Sequence, residues 1–412
     1  MEIKQPAFGR RVKKLRLKKG LTQTDLAGGP VSTSYISRIE KGTRLPSVET
    51  VHHLAAKLGT DVSELLSNDI FDDSWGATMA EVSTALADKD FTRVIDLLEP
   101  CGPDLLERVP EDWAWQVFWA RSRALSEMKD PAGQSAELRL LVSLAREWES
   151  PSLLGRLLME MSRTERKIGH ITEAVAAAQE ALSLLDGLSA CAQVLKVNAC
   201  LALMAAETEA GLLSQASERI PEVLQAAEDT PSEIKAQAYW GCSGVRVRQG
   251  RFEEGRDLIG RALSTMDSRS DLLGWARLRL AAVSLHLRSP EPASAEIETW
   301  LRDAEDALRY VGEPPHHAEL RAVKARVYLA QGRLAEAQVE AAAAEDSGLL
   351  AFHDRLRTRL LRAEATMRLG HHQEGILLAQ SAAEEAEDAG YLDLAAEAWK
   401  AVAVSNKRPL VE

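Results

Sequence analysis

The feature that most limits what this chain can fold into is an internal recurrence. An element of the form G-x-x-x-E/Q-A/G stands at Gly169, Gly211, Gly250, Gly332 and Gly370. The intervals are 42, 39, 82 and 38 residues, and the long one spans two periods, with Ser289-Pro290 where the absent glycine would fall. Weaker turns at Asp88–Asp90 and Asp130-Pro131 carry the period toward the N-terminus. Self-similarity at a period in the range of about 20–50 residues marks stacked units, each too small to bury its own apolar face, rather than a single core. The segment is rich in Ala, Leu, Glu and Arg, shows no alternating strand pattern, and lacks proline over 152–220, 232–289 and 316–408. It therefore reads as helical almost throughout. Eight helical hairpins of roughly 40 residues account for residues 75–412. Where the element is present, a glycine ends the first helix in a tight turn, and the small residue five positions later lets the second helix approach closely.

These elements resemble tetratricopeptide (TPR) repeats. The period exceeds the roughly 34 residues of a typical TPR and overlaps the HEAT/armadillo range, but the glycine turn favours TPR-like hairpins with lengthened helices. The resemblance implies a superhelix with a concave binding surface, lined by first-helix positions 13, 10 and 6 residues before the turn glycine. Here those positions hold Arg156, Met159, Arg163, Asn198, Gln237, Trp240, Glu319, Arg326, Arg357 and Glu364. Arginine offers a bidentate fork to a carboxylate, and asparagine both donates and accepts, so the set suits a peptide backbone or an acid group.

A net charge of −12 over 412 residues looks hostile to nucleic acid, but the average hides a split. Residues 1–67 hold 12 Lys and Arg against 6 Asp and Glu, whereas the remainder holds 38 against 56. Seven of the ten residues 10–19 are basic. Such asymmetry points to nucleic-acid contact by the basic part. The run SNDIFDDSWG, residues 67–76, is acidic and turn-forming. We place a linker at 68–74, between a head of residues 1–67 and an array of residues 75–412.

The head reads as five short helices. Phe8, Val12 and Leu15 form an apolar stripe under the cationic face of the first, which Gly20 ends. Thr22 and Asp25 make a capping box for the second, and Gly28-Gly29-Pro30 forces a turn. Ser32 caps a third helix from Thr33 to Lys41, with Ile36 and Ile39 facing inward. Gly42 stops it, Pro46-Ser47 leads into a fourth helix ending near Leu58, and Asp61–Leu66 makes a fifth. Two short helices joined by a glycine turn beside a basic helix form a helix-turn-helix. The run Gly20-Leu21-Thr22-Gln23, with Leu26-Ala27, Ser34-Tyr35-Ile36-Ser37, Ile39-Glu40, Gly42 and Pro46, resembles the Xre/Cro repressor-type domain, a lambda-repressor-like fold. The turn is a residue short against the usual pattern. The resemblance puts Thr33, Ser34 and Arg38 at base-reading positions, with Ser37 and Lys41 beside them. Arg38 suits the O6/N7 acceptor pair of guanine. Gln23 is implied as a phosphate clamp, and Lys41 and Arg44 as backbone contacts. Glu40 is expected to pair with Arg11 or Arg16 rather than to touch a base.

No P-loop, GxSxG or HExxH motif is present, so no catalytic residue and no cofactor are expected. Adjacent histidines at His316-His317 and His371-His372 point apart on a helix, which disfavours a metal site. Trp115 and Trp119, in DWAWQVFWA, share a helix face and are expected to be buried between hairpins rather than to cradle a ligand. Cys101, Cys191, Cys200 and Cys242 show no CxxC pair and read as buried thiols of a reduced cytoplasm. The basic N-terminus has no apolar run like that of a signal peptide, and no stretch reaches membrane-spanning length. The expected protein is therefore all-α and cytoplasmic, with no membrane partner.

The architecture resembles the peptide-pheromone receptor regulators of Gram-positive bacteria. That resemblance implies a homodimer binding double-stranded operator DNA, with a signalling peptide or small molecule held by the array. An adaptor whose array docks a protein partner is the alternative, and an enzyme with a regulatory head is a weaker one.

Overall fold

The structure is a computed structural model, and it describes residues 5, 7–29, 31–66, 75–102, 105, 110–185, 193–289 and 294–406. The proposed linker at 68–74, Pro30 and Cys191 lie outside them. By internal packing the chain divides into Met1–Ala114 and Trp115–Glu412. Among the described residues there is no strand, only an isolated bridge between Gly28 and Val31.

The head forms α1 (Ala7–Lys18), α2 (Gln23–Leu26), α3 (Thr33–Glu40), α4 (Val48–Leu58) and α5 (Val62–Leu66). Phe8, Val12, Leu26, Ile36, Ile39 and Leu54 meet in one core, each no more than 1% exposed. Thr22 and Asp25 form the reciprocal capping box at α2, and Ser32 Oγ accepts from the Tyr35 N–H at 3.2 Å to open α3. The short turn is accommodated by two glycines in left-handed backbone, φ 143° at Gly28 and 56° at Gly29. Gly28 and Val31 then exchange backbone hydrogen bonds of 2.9 and 3.1 Å, which close the turn on itself.

The rest is a succession of hairpins. In unit one, α6 (Trp75–Ala87) pairs with α7 (Phe91–Leu98). Then follow α8 (Glu111–Glu127) with α9 (Pro131–Glu147), α10 (Pro151–Ile168) with α11 (Ile171–Leu185), and α12 (Gln193–Glu209) with α13 (Leu213–Glu218) and α14 (Ile220–Ala227). After them come α15 (Ser232–Arg248) with α16 (Phe252–Thr265), α17 (Leu272–His286) with α18 (Ser294–Val311), α19 (Pro314–Ala330) with α20 (Leu334–Asp346), and α21 (Phe352–Arg368) with α22 (His372–Asp388). A last helix, α23 (Leu392–Asn406), follows the hairpins. Pro221 splits the second helix of the α12 hairpin, because proline removes an amide donor and its ring crowds the preceding turn.

All five signature glycines have positive φ, between 76° and 99°. The small residues five places on are buried, and a Cβ on Gly255 or Gly375 would overlap Val247 or Met367 of the paired helix. In the two weaker turns Lys89 (φ 60°) and Lys129 (φ 61°) take the glycine's place. Asp90 and Asp130 follow them and cap the next helix through the amides of Arg93 (3.0 Å) and Gly133 (2.9 Å).

One cluster breaks the rule that each repeat touches only its neighbours. Within the second unit, Ile171, Ala174 and Ala206 pack against Phe352, Leu356, Ala386, Tyr391 and Leu394. Tyr391 is fully buried, its ring lies 5.1 Å from Phe352, and its hydroxyl donates to the Arg166 carbonyl at 3.4 Å. Asp393 faces Arg248 at 3.5 Å, and Lys129 pairs with Glu313 at 2.8 Å. The array therefore turns far enough to meet itself, and its last hairpin closes a ring on α10–α12.

Candidate functional site

The two motif-bearing faces are built differently. On the head, Ile36 and Ile39 anchor one side of α3 in the core, which leaves Thr33, Ser34 and Arg38 exposed on the other, with Ser37 half-buried. Lys41 and Arg44 are exposed just beyond the helix. The six side chains thus share one side of α3 and its following loop. Gln23 is engaged within the protein: its Nε2 donates to Glu40 Oε2 at 2.6 Å. Glu40 is almost fully buried and receives Arg16 through Nε at 2.7 Å and through Nη2 at 3.0 Å, while Arg16 Nη1 donates to the Leu21 carbonyl at 2.9 Å. Of the two partners expected for Glu40, Arg16 fills the role. The knot ties α1, α2 and α3 together, so Gln23 reaches a phosphate only with what Glu40 leaves free.

Two residues that sequence reasoning passed over set the pose of α3. A Cβ on Gly9 would overlap the Ile39 carbonyl oxygen, so only glycine permits the observed approach of α1. Gln5 Nε2 donates to the carbonyls of Ile39 (3.2 Å) and Arg44 (2.8 Å), while its Oε1 accepts from the Gly9 N–H at 3.0 Å. The available signal was a glycine inside a helical pattern, which marks close packing when it is not a terminus.

Inside the ring lies a cavity of about 740 Å³. Of the residues expected on the concave face, Arg163, Asn198, Gln237, Trp240, Arg326 and Arg357 line it. A second cavity of about 760 Å³ adjoins it and takes in Glu364, together with Glu397 and Lys400 of α23. Arg326 and Arg357 line both. Glu319 lines a smaller recess beside Trp240 and Arg326. Arg156 lies exposed and lines none of these, and Met159 is buried in the packing. The cavity also gathers Arg166, Arg248 and Arg288, which the repeat register did not single out. Arg166 and Arg248 sit three and two residues before their turn glycines, and Arg288 precedes the position where the glycine is missing.

Charge crowding shapes this wall. Burial and the neighbouring Arg357, Arg326 and Arg248 push Arg288 down to about 9. Burial and Arg357 likewise lower Arg326 and Arg248. Burial would raise Asp354, but a hydrogen bond from His353 and the charges of Arg326 and Arg357 hold it down at about 2.

Other candidate features resolve as structure. Trp115 stacks on Trp119 (6.4 Å) and meets Trp148 at 5.0 Å. Trp119, expected to be buried, is 47% exposed, because the stack runs out along the helix surface instead of between hairpins. Cys101, Cys200 and Cys242 are buried, and burial pushes the Cys242 thiol up to about 12. Among the described residues no group of three or more His, Cys, Asp or Glu is placed to hold a metal ion, and no helix is long and apolar enough to cross a membrane.

Comparison with known proteins bears on the head and on the fold. A helix-turn-helix family model matches residues 12–65. The HTH-type transcriptional regulator DdrOP3 of Deinococcus deserti is 36% identical over 126 residues, which span 28% of this chain and 95% of that protein. Among solved structures, the apo form of the quorum sensor NprR from B. thuringiensis aligns over 92% of this chain and 97% of its own, at 12% identity and a TM-score of 0.54. A Rap protein complexed with competence and sporulation factor aligns over 97% and 95%, at 10% identity and a TM-score of 0.53. At such identities these two share the fold: an all-α chain ending in TPR-like hairpins. The family model falls within the head, the match to DdrOP3 spans nearly the whole of that protein, and the chain belongs to the helix-turn-helix transcriptional regulators of Xre/Cro type.

Proposed function

We propose that this regulator reads operator DNA with α3 and that its array encloses a signalling ligand that sets DNA affinity. Arg38 is the base-reading residue, Thr33, Ser34 and Ser37 add hydroxyl contacts, and Lys41 and Arg44 fix the phosphate backbone, with Gln23 in a supporting role. A homodimer presents two α3 helices to half-sites about 34–36 Å apart. The border between reader and sensor stays at 68–74 in this reading.

The observation that carries the sensor half is the cavity on the inner side of the ring, lined by the concave repeat positions. Its volume lies within the roughly 300–1,000 Å³ of small-ligand sites. The quorum sensor and the factor-bound Rap protein share this fold, which supports a peptide-sized signal here. Closure of the ring by Phe352 and Tyr391 supports an enclosed ligand over a long partner helix laid along an open groove.

Gly244 gives a direct test. It lines the cavity, and a Cβ there meets nothing within 4 Å. Gly244→Phe should fill the cavity while the fold and ligand-free DNA affinity persist. A ligand response of about 5–150-fold in DNA affinity, expected for a coupling of about 1–3 kcal/mol, should vanish. A response that survives Gly244→Phe would remove the cavity from the mechanism.

A further inference from the structure

The cavity inside the ring carries seven arginines and three carboxylates on its wall. Three of the arginines have acidic partners close at hand: Arg166 pairs with Glu209, Arg277 with Glu319 (3.1 Å), and Arg163 with Glu160 (3.4 Å). The remaining four gather from four different hairpins: Arg248 on α15, Arg288 after α17, Arg326 on α19 and Arg357 on α21. Arg357 reaches Glu397 at 3.3 Å and His353 Nε2 at 3.0 Å, and Arg248 reaches Asp393 at 3.5 Å, but both of those carboxylates are at least half exposed. Asp354, which also lines the cavity, is the one carboxylate there that these arginines hold in its charged form, with a hydrogen bond from His353 beside them, and it leaves most of their charge uncompensated. Arg288, Arg326 and Arg357 stand where the two cavities meet, so they line both compartments at once.

A protein has little reason of stability to crowd guanidinium groups, since like charges repel and desolvation adds to the cost. Burial together with this crowding depresses Arg248, Arg288 and Arg326. A concave site lined by one sign of charge attracts the opposite charge and concentrates it. Planar forks from several directions match carboxylate or phosphate oxygens in pairs. Trp240, Leu201 and Leu285, on the same wall, supply apolar surface for the remainder of such a molecule.

We propose that the ligand of this site is a polyanion, carrying at least two carboxylate or phosphate groups that bridge Arg248, Arg288, Arg326 and Arg357. Because those residues belong to separate hairpins, one bound polyanion ties the ring across its interior. This rests on the reading of the array as a ligand sensor and specifies the chemistry of its signal. Two sources share that chemistry, an acidic peptide and a small phosphorylated metabolite.

Equilibrium dialysis and thermal unfolding of the full chain at physiological salt, with three probes, test it. The probes are pentaglutamate, tripolyphosphate, and an uncharged pentaalanine with both ends blocked. Pentaglutamate or tripolyphosphate should bind and raise the melting temperature, and whichever binds more tightly identifies the source. Affinity should fall by roughly 10-fold or more for each arginine removed in Arg288→Gln and Arg326→Gln. These variants relieve repulsion, so the unliganded protein should be no less stable, which separates lost binding from lost folding. Failure of both anions to bind overturns the proposal, as does equal binding to the variants. If blocked pentaalanine binds wild type and variants alike and Gly244→Phe prevents it, the polyanion chemistry fails while the sensor reading stands. If a probe binds but Gly244→Phe leaves its binding unchanged, the site itself is misplaced and the sensor reading falls with it.

Discussion

Replacing Glu40 by alanine strikes the point where three helices of the head are tied. The Arg16 and Glu40 side chains are 10% and 3% exposed, with guanidinium contacts to the carboxylate at 2.7 and 3.0 Å and a further bond from Gln23 at 2.6 Å. Two unit charges about 4 Å apart interact by about 4 kcal/mol at an effective dielectric of about 20. Removing one partner of a buried pair leaves the other uncompensated, and such losses run at about 3–5 kcal/mol. In Glu40→Ala, Arg16 keeps only the Leu21 carbonyl. Hydrogen exchange of the full chain, read by mass spectrometry peptide by peptide, isolates the head from the array. The free energy of opening for peptides within 33–66 should drop by about 3–5 kcal/mol, or protection should vanish, while peptides from 232–400 keep theirs. Arg16→Met with Glu40→Leu should recover most of the loss, since an apolar pair of similar volume replaces an ion pair at little cost. A loss below about 1 kcal/mol in the single variant is the value of a surface pair and would refute this account of the knot.

Other outcomes follow from named contacts. Gly9→Ala forces α1 away from the Ile39 carbonyl, at a cost of about 1–3 kcal/mol, and should weaken DNA binding because α3 moves; unchanged affinity and melting temperature would contradict the close approach. Gly169 has φ 97°, and a Cβ on it would lie 2.7 Å from Phe352, so Gly169→Ala should loosen the ring by about 1–3 kcal/mol, read as faster exchange in 385–400. Glu165 is fully buried, and although burial raises it, hydrogen bonds from Ser135, Arg139 and His170 leave its pKa below the ordinary value. Its stabilisation is thus present above the usual glutamate range and lost as pH falls through and below it. Glu165→Gln should flatten the acid limb of array unfolding, and an unaltered limb would exclude it as the titrating group.

Much of this molecule was legible because the relevant signals are local. A turn needing positive φ selects glycine, and a helix pair in close contact selects a small residue, so Gly169, Gly250 and their partners marked the hairpins. Lys89 and Lys129 were faint because an L-residue can bear the left-handed conformation when an aspartate next to it caps the following helix. The α3 face was readable from Ile36 and Ile39, since fixing the buried side exposes Arg38. Gly9 was not, because its reason is a carbonyl 30 residues away. Ring closure was equally hidden. Nothing in the spacing of Phe352 or Tyr391 says that they meet Ile171, and repeat logic predicts only neighbour contacts. Arg288 went unnoticed because the register is lost where the turn glycine is missing.

The central claim is that α3 of this regulator reads a defined DNA sequence through Arg38. Selection of binding sites from random duplex DNA by the full chain, followed by affinity measurement for wild type and Arg38→Ala on the enriched site, tests it most directly. The account predicts enrichment of a two-fold symmetric site containing a guanine in each half. For Arg38→Ala, losing one guanine contact in each of two half-sites, at about 1–3 kcal/mol apiece, should bring affinity close to that for random DNA with the fold intact. No enrichment over the starting pool, or an enriched site bound equally by Arg38→Ala, would contradict it.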